Sequence, residues 1–404
     1  MNSTVPATRP LGSRRCPFHR LRSFLFPLCA LIAAAATKAE AEYTFTVIAD
    51  SNGPFSNFGA VPSPSLNATG TVAFQAYLDN GNQGIFTGNG AATTTIFTTL
   101  PFPNGIIGYP SINDAGTVAF YADQRLSVGE TIFAGNGGPL VTIANTAGPF
   151  RGFAVGNSTA INTAGTVAFW ASQDSRPSGI FTGNGGAATP ILLNSASLGA
   201  GDFSMNDAGT FAFRSGATRI VTFNAGSVTT IVDNSGTLNY FGATPSLNDS
   251  GRVAFVAGIE GIDGHTYGIY SGNGGPLITI ADLSGPFSSF SYNSFTSNQP
   301  SINDSGSVAF VAGLDVGGYG IFLGDGTVTK QVIGTGDALF GSTVTGFYIS
   351  PTSLNDSGQV AFAYGLANGT IGIAVANPVP EPSTSLLLAL SFGLSLARRR
   401  TRKG

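Results

Sequence analysis

From residue 43 onward the chain is written in short apolar words separated by polar, glycine-bearing pauses. In Val-Ala-Phe the large residues fall on one side of an extended chain and the small one on the other, the period of two that marks a strand. Gly-Ile-Phe and Ile-Thr-Ile-Ala style segments follow, most closed by Asn-Gly or Asp-Gly, which is a strong hairpin signal. Long runs of helix-forming residues are scarce, so the pattern predicts an all-β body.

The pattern repeats. SINDAGTVAF at 111–120 returns as SLNDSGRVAF at 246–255, SINDSGSVAF at 301–310 and SLNDSGQVAF at 353–362. The full series of the turn asparagine is Asn67, Asn113, Asn162, Asn206, Asn248, Asn303 and Asn355, with gaps of 46, 49, 44, 42, 55 and 52 residues. Three residues after each stands a glycine: Gly70, Gly116, Gly165, Gly209, Gly251, Gly306 and Gly358. Six after stands an alanine, from Ala73 to Ala361, and seven after a phenylalanine: Phe74, Phe120, Phe169, Phe213, Phe255, Phe310 and Phe362. Internal repetition at this period indicates a propeller or a solenoid. The asparagine opens a turn by bonding its own backbone two residues on, and the glycine supplies a positive φ. The large and small faces of Val-Ala-Phe suit a sheet buried on both sides, bulk against a thin neighbour.

Each unit holds four short strands in roughly 48 residues, the content of one propeller blade. The segment YTFTVIAD at 43–50 is similar to the last strand of other units, as in PLITIAD at 276–282, and the seventh unit lacks a last strand after TIGIAVAN at 370–377. The expected fold is therefore a seven-bladed β-propeller closed by the N-terminal mature strand. A β-helix is the alternative, but its coils are shorter and more uniform than these. The linkers ending in Gly-Pro-Phe (residues 53–55, 148–150 and 285–287) are expected to join the outer strand of one blade to the inner strand of the next, with the phenylalanine packed on a blade rim. The fourth unit, FAFRSGATRIVTFNAG, reads as a shortened blade carrying Arg214 and Arg219 close together.

Composition refines this picture. Charged residues make up only 10% of the chain while apolar residues reach 42%, which is not a disordered profile. Residues 1–41 carry Arg9, Arg14, Arg15, Arg20 and Arg22, then SFLFPLCALIAAAAT and Ala39-Glu40-Ala41, the layout of a secretory signal for signal peptidase, cleaved after Ala41. Cys16 and Cys29 both fall in that leader, so the body at 42–378 has no disulfide. Within 42–378 there are 7 Lys+Arg against 19 Asp+Glu, a net of −12 that excludes a phosphate-binding face and hence a nucleic-acid partner.

Residues 379–404 form a separate unit. Pro380-Glu381-Pro382 is followed by an apolar stretch over about 383–397 and then by Arg398, Arg399, Arg400, Arg402 and Lys403. The stretch is expected to form a single transmembrane helix of about 22 Å, oriented by the basic cluster with its tip in the cytoplasm. Pro380, Glu381, Pro382, the apolar stretch and Arg398, Arg399 and Arg400 together resemble the PEP-CTERM sorting domain. That resemblance implies an exported protein of a Gram-negative bacterium, processed by an exosortase, held in the inner membrane before processing and released to the cell surface or an extracellular polysaccharide matrix. The body, through its Asn, Gly, Ala and Phe series, resembles the bacterial tandem NxxGxxAF repeat family with varied C-terminal anchors, whose biochemical role is not established.

Little in the body points to catalysis. His265 is its one histidine, placed in the connecting segment GIDGHTYG, and nothing sets a serine or a cysteine beside it. No cluster has metal-ligand spacing, and turn formation accounts for Asp114, Asp207, Asp249, Asp304 and Asp356 without calcium. No catalytic residue, cofactor or metal is expected. Tyr77, Tyr121, Trp170 and Tyr364 follow the repeated phenylalanines; they read as packing between blades, with a sugar-stacking rim as the alternative. The expected role is structural or interactive, with extracellular polysaccharide or surface proteins as partners; a glycan- or protein-binding propeller, or a polysaccharide-active enzyme, is the alternative.

Overall fold

The computed structural model describes residues 43–59, 62–99, 106–124, 129–154, 159–173, 177–193, 198–261, 264–290 and 299–380. Tyr43–Pro378 is one compact unit. Its strands form seven antiparallel sheets among the described residues, arranged as a seven-bladed propeller. Blades one to seven are identified by their second strands, Val72–Leu78, Val118–Gln124, Val167–Gln173, Phe211–Ser215, Val253–Gly261, Val308–Leu314 and Val360–Leu366.

Alternation of large and small side chains explains how the blades stack. The alanine six residues after each repeat asparagine is fully buried in all seven blades, and the seven phenylalanines are at most 4% exposed. Val72 and Phe74 of blade one pack with Ala361, Ala363, Ile373 and Val375 of blade seven. Val167 and Phe169 of blade three meet Ala119, Tyr121 and Ile132 of blade two in the same way. The core is thus a series of layers between sheets, each setting two large side chains against the alanine face of the preceding blade.

The linker phenylalanines repeat one geometry. Phe55, Phe150 and Phe287 each meet the hairpin phenylalanine of their own blade (Phe86, Phe181 and Phe322) edge-on, with centroids 5.0 Å apart in every case. The Gly-Asn-Gly turns have a steric reason. A Cβ on Gly137, Gly185 or Gly274 would stand 2.7–3.0 Å from a side-chain carbon of the outer strand of the preceding blade (Thr94, Val141 and Thr229). The turn must lie on its neighbour without a side chain, at a φ near +95° to +99°. In each of the first six blades a bulge falls at the corresponding place between third and outer strand, for example at Ile85/Phe86 and Ile321/Phe322, which adds twist. Blade four keeps four strands with a continuous inner strand, Leu198–Met205.

The ring is closed by the first described strand. Tyr43–Asp50 pairs antiparallel with Ile371–Pro378, from Tyr43↔Pro378 to Asp50↔Gly372. The seventh sheet therefore contains both ends of the body, and the open stack of a β-helix does not apply.

One part of the fold expectation needs correction. The described chain is all-β, with no helix, and among the described residues no helix is long and apolar enough to cross a membrane. The transmembrane helix expected over 383–397 lies outside the described residues, so the fold is a seven-bladed propeller without that addition. Inner-membrane anchoring through such a helix, as location and as partner, is withdrawn with it. Residues 1–41, Glu381, Pro382, Arg398, Arg399 and Arg400 also lie outside the described residues.

Candidate functional site: the axial channel

The repeat asparagines meet at one mouth of the central channel. Locally, each side-chain oxygen accepts the main-chain N–H four residues on, at 2.7–3.0 Å in all seven blades. The expected bond two residues on is made in addition at Asn67 and Asn355. The glycine of each turn has a φ between +71° and +84° and donates its N–H back to the asparagine carbonyl.

The asparagines also work between blades. The side-chain amide of Asn67 donates to the carbonyl of Asn113, Asn113 to Asn162, Asn206 to Asn248, Asn248 to Asn303, Asn303 to Asn355, and Asn355 back to Asn67, at 2.8–3.2 Å. Every one of these side chains is buried. An amide alone can accept within its turn and donate across to the next blade; a carboxylate cannot donate. The repeated asparagine is thus a joint between blades, and six of the seven links of the ring are made among the described residues, Asn162 to Asn206 being the exception.

A second ring lies above the first. The carboxylates of Asp114, Asp207, Asp249, Asp304 and Asp356 each accept, at 2.8 Å, the main-chain N–H of the equivalent residue one blade earlier. Thr163 and Ala68 occupy the remaining two places. The five aspartates are exposed at a funnel of about 190 Å³. Partial burial and then the charges of Asp207, Asp304 and Asp356 raise the Asp249 carboxyl above its ordinary range, against a main-chain hydrogen bond that lowers it.

Below the mouth the channel narrows. Leu66, Ile112, Ile161, Met205, Leu247, Ile302 and Leu354, one from each blade, line both the funnel and a second cavity beneath it, forming an apolar collar between them. The lower chamber is about 200 Å³ and its wall is rich in hydroxyls, including Ser111, Thr159, Ser204, Thr244, Ser246 and Thr352. Residues 350–352 reach across on the blade-seven side: Pro351 O accepts from Ser246 Oγ at 2.7 Å and Ser301 Oγ at 3.0 Å, and Ser350 Oγ donates to Pro64 O at 2.6 Å.

The other candidate residues lie elsewhere. Tyr121 and Tyr364 are buried, and Trp170 packs against the cluster between blades three and four, so these aromatics serve blade packing and do not form a stacking rim. His265 is not in a connecting loop; its backbone pairs with Glu260 within the hairpin of blade five. Arg214 donates to Phe241 O at 3.1 Å, while Arg219 reaches Ser215 Oγ at 3.3 Å, so the two arginines have separate duties. Among the described residues no group of three or more His, Cys, Asp or Glu is placed to hold a metal ion. The sequence reading missed the asparagine ring and the collar. The signal for the first was present: asparagine stands at its place seven times and aspartate never.

Comparison with known proteins identifies the tail and gives the body a relative of unknown role. Residues 378–403 match the PEP-CTERM protein-sorting motif. Residues 186–349 and 338–386 match the Family of unknown function (DUF7453). No curated protein matches the chain. Among solved structures, prolyl oligopeptidase B from Galerina marginata is similar at 9% identity and a TM-score of 0.50, covering 82% of this chain and 50% of that one. The GH74 xyloglucanase from Xanthomonas campestris matches at 12% identity and 0.45, over 81% of this chain and 53% of its own. An Aleuria aurantia lectin in complex with alpha-methyl-L-fucoside matches at 12% identity and 0.39, over 69% and 96%. The chain spans about half the length of the xyloglucanase and the oligopeptidase it matches. At these identities the likeness to the oligopeptidase shows the fold alone.

Proposed function

We propose that this exported, PEP-CTERM-bearing propeller is a non-catalytic binding protein that engages a neutral or amine-bearing glycan outside the cell at its channel mouth. The observation that carries this reading is the ring of exposed carboxylates on Asp114, Asp207, Asp249, Asp304 and Asp356, each fixed in direction by a 2.8 Å bond to the neighbouring blade. Such a ring offers preorganised acceptors to ligand hydroxyls or ammonium groups. It repels uronate-rich polymers, and the body's net of −12 over residues 42–378 repels them further. Processing by an exosortase, and kinship of the body with the tandem NxxGxxAF repeat proteins, belong to the same proposal.

The test is a glycan array on the exported protein, beside a triple variant, Asp207→Asn, Asp249→Asn and Asp304→Asn. The wild type is expected to retain neutral or amino-sugar polymers and to ignore polyuronates, and the variant to lose at least tenfold in affinity. Equal binding by the variant, preference for polyuronates, or release of new reducing ends from a bound polymer would each overturn the reading.

A further inference from the structure

Two polar side-chain atoms that are buried without a partner, on Ser204 and Thr244, belong to the wall of the lower channel. Among the described residues, Ser204 Oγ, Arg214 Nε, Thr244 Oγ1 and Gln299 Oε1 are buried and have no hydrogen-bond partner. They come from three consecutive blades. Arg214 is bonded through its other nitrogen to Phe241 O. Gln299 Oε1 stands 3.5 Å from where a Cβ on Gly242 would be, two residues before Thr244 on the same strip of blade five. Ser204 and Thr244 line the chamber below the collar, and Thr244 is only 2% exposed. Leaving a buried hydroxyl unpaired costs about 1–3 kcal/mol each, so the two that face the chamber call for a partner that completes them.

The chamber indicates what the partner is. At about 200 Å³ it has room for roughly six or seven waters at about 30 Å³ each, or for one ring-sized molecule in their place. No charged side chain lines it, which disfavours an ion. Its roof is the apolar collar, with Phe203 beside it, while blades four and five present hydroxyls at the side. A ligand with one apolar C–H face and a hydroxyl-bearing edge matches both surfaces. A pyranose ring has that form.

We propose that the chamber below the collar is a binding site for a single neutral pyranose unit, held by Thr244 and Ser204. The proposal rests on the glycan reading for its ligand class, but it uses residues on the opposite side of the collar from the aspartate ring.

The experiment titrates the exported protein with a panel of neutral methyl glycosides, read by saturation-transfer NMR and calorimetry. Variants Thr244→Val, Thr244→Ser and Val316→Ser are run beside the wild type. At least one glycoside is expected to bind the wild type. Thr244→Val is expected to weaken it at least tenfold while Tm stays level or rises, since an unpaired buried hydroxyl is removed. Thr244→Ser, which keeps the hydroxyl, and Val316→Ser, on an exposed turn of blade six, are expected to bind within about threefold of wild type. Failure of every glycoside to bind, with ordered water alone between Ser204 and Thr244 in a crystal, overturns the proposal. So does unchanged binding by Thr244→Val. Loss of polymer binding with retained monosaccharide binding would sink the channel-mouth reading and leave this one standing; the reverse result would do the opposite.

Discussion

The asparagine ring can be tested by changing one atom type in one blade. Asn248 accepts from Arg252 N at 2.7 Å and donates to Asn303 O at 2.8 Å, the shortest link in the ring. Asn248→Asp keeps the acceptor within the turn and deletes the donor across the blades. The carbonyl of Asn303 then loses a buried partner, which costs about 1–3 kcal/mol. For a body of this size that corresponds to a fall in Tm of roughly 1–4 °C. The new carboxylate would sit buried beside Asp249, whose own carboxyl is already raised by burial and by acidic neighbours, so its folded pKa should lie above its unfolded value. A raised folded pKa means that the stability it contributes is present at low pH and is lost as pH rises through the folded value. The protonated acid can also donate to Asn303 O and restore the link. Asn248→Asp should therefore approach the wild type near pH 4 and fall furthest behind at pH 7–8, as followed by thermal and urea unfolding across that range. Wild-type stability at pH 7.5, or a deficit that acid does not relieve, would refute the idea that the amide bridge holds blades together.

Three further outcomes follow from the geometry. Gly165→Ala, at φ +79° with nothing within 4 Å of the added Cβ, should cost about 1–2 kcal/mol for the left-handed backbone alone; Gly185→Ala, whose Cβ would lie 2.7 Å from Val141 Cγ1, should cost about 2–4 kcal/mol, and equal urea midpoints for the two would contradict the close approach between blades. Deleting residues 43–50 should uncover Ile373 and Val375, now buried in the same cluster as Ile48 and Ala49, and turn Ile371–Pro378 into an open edge that associates; size-exclusion chromatography should show oligomers, and a peptide of sequence YTFTVIAD should restore the monomer. Burial raises the Asp202 carboxyl to about 6 despite the opposing charge of Arg214, so its contribution to stability is present below pH 3.8 and is lost between there and about pH 6; Asp202→Asn should flatten the Tm-against-pH curve over that window and lie above the wild type by a constant margin above pH 7.

What the sequence made legible was whatever depends on neighbours within one strand or one turn. Val-Ala-Phe has a period of two, so its large and small faces can be read directly, and the layers between blades follow from them. Closure was legible because YTFTVIAD repeats the wording of outer strands such as LITIAD. The asparagine turn was legible in kind, but its main bond falls four residues on because the turn is wider than an isolated asparagine turn. The amide ring was not read, since it joins residues 42 to 55 positions apart that meet only after the circle is complete. The aspartates were assigned to turns, yet each also caps the neighbouring blade. Ser204 and Thr244 carry no signal of any kind: an unpaired hydroxyl is a property of the surroundings that the fold leaves empty. Tyr121 and Trp170, directly after the repeat phenylalanines, alternate to the opposite face of the strand, while Tyr364, two residues on, shares the face of Phe362; between stacked sheets both faces are interior.

The strand that hands over to the sorting motif, Ile371–Pro378, is not at the margin of its sheet. It lies between Tyr43–Asp50 on one side and Val360–Leu366 on the other. A pull transmitted from the C-terminal segment would have to unzip two ladders at once, one of them to the opposite terminus of the body. Mechanical load arriving there is shared by both ends of the polypeptide, as a seam stitched along both edges tears less readily than a hem.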